Sequence, residues 1–144
     1  INKVDWPVPI VIKFHPSHLE WTKYKTKIPE NSSVTSQPLP LLLPSALMAI
    51  GHSTGALIET AVLGIPSIDI QYPEKFSHDY MPEIGQGILW DKANDADEVK
   101  ALVEKFQSAL QENPESLKEE ARKMREYCFS EPTEELINKA FELD

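Results

Sequence analysis

Between positions 51 and 59 the chain reads Gly51-His52-Ser53-Thr54-Gly55-Ala56-Leu57-Ile58-Glu59, a small polar turn leading into helix formers. A helix opening at Ser53 leaves its first amide N–H groups without partners inside the helix. Together with the macrodipole they favour an anion such as a diphosphate. Ser53, Thr54 and Gly55 are small enough to let an anion approach those amides, and the two hydroxyls can add hydrogen bonds. Glu59, four residues after Gly55, shares its helix face about one turn, roughly 5 Å, further along. That is close to the span from a phosphate to a ribose, whose two hydroxyls a carboxylate can accept. The competing account has Glu59 capping or salt-bridging something local, and the turn in front of it favours the ligand account.

Histidines supply the next candidates. His15, in His15-Pro16 after an apolar run, could donate to a phosphate or nucleotide oxygen from the carboxyl end of a strand, where α/β folds place their ligands. A loop imidazole bonded to a neighbouring carbonyl is the alternative. His52 leans towards the same pocket as Ser53, whereas His18 and His78 read as surface residues. The four histidines show no metal-ligand spacing, so no metal is expected. Asp95-Ala96-Asp97 could hold a divalent ion, but acids at a helix start favour the dipole in any case, and a cap is the better reading. Gly85-Gln86-Gly87 is half of a dinucleotide fingerprint and precedes a strand instead of following one, so nicotinamide binding is not expected. The lone cysteine, Cys128, lies on the apolar face of a helix and reads as core; alone it forms no disulfide framework or thiolate cluster.

Ser53-Thr54-Gly55-x-x-x-Glu59, followed by Gly64-Ile65-Pro66 and a β-branched strand, resembles the nucleotide-binding half of GT-B-fold glycosyltransferases and of the related non-hydrolysing UDP-N-acetylglucosamine 2-epimerases. In those families the turn holds the donor's phosphates and the acid holds its ribose. His15-Pro16 is similar to the His-Pro motif that bacterial sialyltransferases and capsule-sugar transferases with CMP-activated donors carry together with a Ser-Ser or Ser-Thr motif, here Ser53-Thr54. The resemblance covers residues 8–106. Thr54 and Ile58 depart from the epimerases, which usually have a glycine and an acid there. The long polar segment 71–86, with Lys75, His78 and Asp79, matches no particular donor sugar.

The resemblance implies a metal-independent glycosyltransferase, without a cofactor, acting in bacterial surface-polysaccharide biosynthesis on a UDP- or CMP-linked sugar. His15, His52, Ser53, Thr54, Gly55 and Glu59 are then the nucleotide-binding residues, with His15 as the candidate for catalysis. The saccharide acceptor and its base come from another half, so this half alone binds nucleotide without transferring sugar. A UDP-N-acetylglucosamine 2-epimerase-like enzyme, a CDP-glycerol-type transferase and a non-catalytic α/β scaffold are the alternatives.

These residues need a frame that presents them. Strands are expected at 8–14, 32–36, 47–50, 66–70 and 88–90, and helices from Ser17, from Ser53 to Leu63, and at about 96–110, 114–128 and 133–143. Ser17 with Glu20, and Asp95 with Glu98, form possible capping boxes. Gly64 stands where a helix stops. The last three helices carry apolar stripes, the final one through Leu136, Ile137, Ala140 and Phe141, all expected to face inward and close the domain. Strands alternating with helices give an α/β fold class: a Rossmann-like parallel sheet flanked by helices with a C-terminal helical run. With the resemblance, residues 1–144 read as one Rossmann-like donor-binding domain, one half of a GT-B fold, whose last helix packs on the other half.

Composition narrows the class further. The 144 residues carry 14 Lys+Arg against 23 Asp+Glu, a net charge of −9 with only two arginines, Arg122 and Arg125, which argues against a nucleic-acid partner. Residues 1–90 hold six basic and eight acidic groups and 91–144 hold eight and fifteen, so the acidity sits in the helical part. No run reaches the roughly 20 apolar residues of a membrane span. A cytoplasmic location is expected, with peripheral contact at the inner membrane face open to the full-length protein. The opening Ile1-Asn2-Lys3 has no signal pattern and reads as a piece of a longer chain.

Overall fold

The computed structural model describes residues 6, 8–15, 28–72, 78–129 and 131–141. The helix expected from Ser17, with its capping box, and Lys75 lie outside the described residues. Among the described residues five short strands run parallel in two hydrogen-bonded sets. β1 (Ile10–Lys13) pairs with β2 (Ser32–Thr35), and β3 (Ala49–Gly51), β4 (Ser67–Ile70) and β5 (Trp90–Ala93) form a sheet in that order. Helix α1 (Leu39–Leu42), with a 3₁₀ turn at Leu43–Ser45, occupies the apolar run before β3, which its prolines interrupt. α2 (Ala56–Ala61) connects β3 to β4, and α3 (Ala96–Glu112), α4 (Pro114–Cys128) and α5 (Glu134–Phe141) follow β5. The expected fold class holds: an α/β arrangement of parallel sheets flanked by helices, ending in a helical run.

β4 is the central strand, and its residues alternate between two apolar layers. Ile68 packs with Ala93, Val99, Val103 and Phe106, the layer under α3. On the other face Leu57 and Ala61 of α2 meet Leu89, Trp90 and the Leu117, Ala121 and Met124 stripe of α4. Arg125 fastens α4 to α2 by donating to the Val62 carbonyl at 2.7 Å. Asp69 stands in register between Gly51 and Lys92, on the face of the central strand that Ser67 shares.

Several boundaries move for local reasons. The strand expected at 88–90 begins only at Trp90, because Gly85 and Gly87 take φ of 77° and 79° and wrap the chain into a turn ahead of it. The helix expected from Ser53 begins at Ala56, since Ser53 itself is left-handed, and it ends at Ala61 ahead of Gly64. Asp95 caps α3, its Oδ1 accepting from the amides of Asp97 and Glu98 at 2.9 Å, while Glu98 accepts from the Asn94 amide at 2.8 Å. The D-x-D stretch is thus a helix cap. The final helix is a correction: Leu136, Ile137, Ala140 and Phe141 do not turn inward, and α5 buries none of its residues. Its amphipathic sequence forms a helix with no described surface to cover.

Candidate functional site

The turn at 52–55 leaves the carboxyl end of β3, beside the carboxyl end of β4. Gly51 permits its tightness, for a Cβ there would meet Thr54 Cγ2 at 2.9 Å and Leu57 at 3.2 Å. Ser53 then takes φ 47°, and among the described residues no other non-glycine residue has positive φ. Its amide donates to Asp69 Oδ1 at 3.4 Å, and its hydroxyl donates to the His78 carbonyl at 3.0 Å while accepting from the His78 amide at 2.7 Å. Thr54 Oγ1 accepts from the Ala56 amide at 3.3 Å. The amides of Thr54 and Gly55 donate to no acceptor among the described residues.

His52 is half-buried and turned towards β4. Its Nδ1–H donates to the Ile70 carbonyl at 2.7 Å. Its edge meets Tyr72 with centroids 4.7 Å apart at 79°. Asp69 is 2% exposed, and its Oδ2 accepts from Gln71 Nε2 at 2.7 Å. Burial pushes its carboxyl above the usual range. The Ser53 amide, His52 and Lys92 oppose that rise, and Asp79 adds to it. Lys92, opposite Asp69 in register, pairs with Asp79 instead.

The expected site residues are therefore brought together in part. His52, Ser53, Thr54 and Gly55 form the turn, and Glu59, one helical turn on, is exposed and makes no ion pair among the described residues. The local cap or salt bridge offered as its alternative role has no partner there. Ser53 departs from expectation, because its amide and its hydroxyl proton are both committed inside the chain. His15 sits exposed after β1, on the two-stranded sheet, whereas the turn belongs to the three-stranded one. Cys128 packs at the margin of the α2–α4 layer, where burial pushes its thiol up.

Asp69 was not singled out from the sequence, although a signal existed. In Ser67-Ile68-Asp69-Ile70 an acid interrupts a strand buried on both faces, at the end where ligands gather. The tie from Ser53 to the His78 backbone carries no side-chain signature. Comparison with protein-family models, with curated proteins and with solved structures yields no match.

Proposed function

We propose that the chain is the nucleotide-sugar donor-binding half of a GT-B-type glycosyltransferase, in bacterial surface-polysaccharide biosynthesis on the cytoplasmic side. The observation that supports it is a juxtaposition at one strand end. Two amides, of Thr54 and Gly55, have no acceptor within the described chain, and the exposed Glu59 carboxylate stands one helical turn beyond them. The amides and the Thr54 hydroxyl would take the phosphate oxygens of a UDP- or CMP-linked sugar, and Glu59 its ribose hydroxyls. His52 stands at the same strand end, with its ring held by the Nδ1–H bond to the Ile70 carbonyl. A saccharide acceptor would enter from a second half that supplies the base, and no metal step is needed.

Titration of the chain with UDP, CMP, CDP and GDP tests this. One nucleotide is expected to bind, and Glu59→Ala to weaken it by about tenfold to a hundredfold, as for loss of hydrogen bonds to a charged group. Equal binding by Glu59→Ala would remove the ribose assignment. A non-catalytic α/β scaffold is the second reading, favoured by the Asp69 carboxylate that takes the Ser53 amide and sets negative charge behind the turn. Binding of none of the four nucleotides selects it.

A further inference from the structure

We infer that Asp69 is a positioning residue for the 52–55 turn: from inside the fold its carboxylate holds Ser53 in the left-handed conformation and, through the Ser53 hydroxyl, ties the backbone at His78 to the end of β4. As a role in ligand binding this rests on the nucleotide reading; as a role in holding the turn it stands apart from it. Left-handed backbone is costly for serine and persists only where the surroundings enforce it. Here the enforcing contact is the Asp69 carboxylate on the Ser53 amide, and Gln71 Nε2 fixes that carboxylate from its other oxygen. The Ser53 hydroxyl, so placed, meets both the amide and the carbonyl of His78. Asp69 is 2% exposed and forms no ion pair among the described residues, since Lys92 is engaged with Asp79. A buried acid that forms no ion pair among the described residues is an expensive occupant of a central strand. The turn is the structure that gains from it.

Two readouts separate the two roles. In amide hydrogen exchange, Asp69→Ala is expected to speed the Ser53 and His78 amides at least tenfold relative to the Ile68 amide. Asp69→Asn, whose amide oxygen still accepts, is expected to leave both within about threefold. If Asp69→Ala does not fold, Ser53→Ala carries the test: it cuts the tie to His78 alone, so the His78 amide speeds up and the amide at position 53 does not. In nucleotide titration, Asp69→Ala is expected to weaken binding roughly tenfold, the factor a lost left-handed turn would impose. Adding Ser53→Gly, which needs no enforcement, is expected to recover it to within about threefold; a purely structural role for Asp69 predicts no such rescue. Unchanged exchange at both amides overturns the inference. Nucleotide binding that Asp69→Ala leaves intact overturns its part in the ligand site. If the wild type binds none of the four nucleotides, the functional reading falls and exchange alone decides the positioning role.

Discussion

Residues 49–93 and the helices after them, 96–141, treat polar groups in opposite ways. Among the described residues the buried polar side chains are Thr60, Ser67 and Asp69, all in the first region. In α3 and α4 the buried residues are Val99, Val103, Phe106, Leu117, Ala121 and Met124, without a polar atom beyond the thioether of Met124. Apart from Arg125, which reaches the Val62 carbonyl, the ion pairs of α4 run along the helix: Arg122 with Glu119 and Glu126, Lys123 with Glu120, and Lys118 with Glu115. Glu119 accordingly sits below the usual carboxylate range, held there by Arg122, while Asp69 sits above it because of burial. The helices obey the rules of stability, and the sheet end breaks them. Such local violations concentrate where a chain does something besides fold.

The contrast is sharpest in the core beneath α3. Phe106 is fully buried between Ile68, Ala93, Val99 and Val103. Truncation to alanine is expected to cost about 3–5 kcal/mol, from lost transfer energy and the cavity left behind. Urea unfolding measures it. A cost below about 1 kcal/mol would mean that the layer under α3 is not the close-packed core its burial describes. On the proposed nucleotide reading, the affinity of a variant that stays folded should follow the folded fraction and nothing more, unlike that of Glu59→Ala.

Much of this was legible beforehand because it follows from periodicity and end signals. The stripe Val99, Val103, Phe106, the Asp95 cap and the Pro114 start fix α3 and α4 almost residue by residue. The alternation of strands with helices was enough for the fold class. The site was legible only as a segment. Positions 52–55 and 59 are its candidates from the pattern alone, and that pattern has Ser53 opening a helix, whereas Ser53 is left-handed and bonded to Asp69 and His78. Local propensity cannot report a conformation enforced by residues 16 and 25 positions away. The same limit misread α5, whose stripe promises a covering surface without saying which one.

A smaller change of opposite sign breaks the comparison if it fails. Asp69→Asn is expected to stabilise the protein at pH 7 by roughly 1 kcal/mol, because it removes the buried charge and keeps an acceptor for Ser53, while the Gln71 amide turns to present its oxygen to the new NH2 group. The pH dependence has a fixed direction. With its folded carboxyl raised above the ordinary 3.8, wild-type Asp69 is best tolerated below that value, and its contribution is lost as pH rises through the folded value. Thermal unfolding of the two proteins should therefore converge towards pH 3–4 and separate as pH increases. Curves that separate in the other direction would show that the ionised carboxylate is a net stabiliser, and the sheet end would then obey the same rules as the helices.

The smallest effect is expected at the far end of the helical region. Thr133 precedes α5, its hydroxyl and carbonyl accepting from the Leu136 and Ile137 amides at 3.2 and 2.9 Å, and the helix then exposes Leu136, Ile137 and Phe141 at 45%, 42% and 71%. A helix this short gains little on its own, since helical stability in proteins comes mostly from a packed face. Phe141→Ala should thus change unfolding stability by no more than about 0.5 kcal/mol, because it removes no buried contact and alanine is the better helix former. The same substitution type that costs several kcal/mol at Phe106 would then be silent 35 positions later, a difference of burial alone. A loss above about 2 kcal/mol at Phe141 would place α5 within the cooperative core. Its inward stripe would then be what the sequence pattern promised.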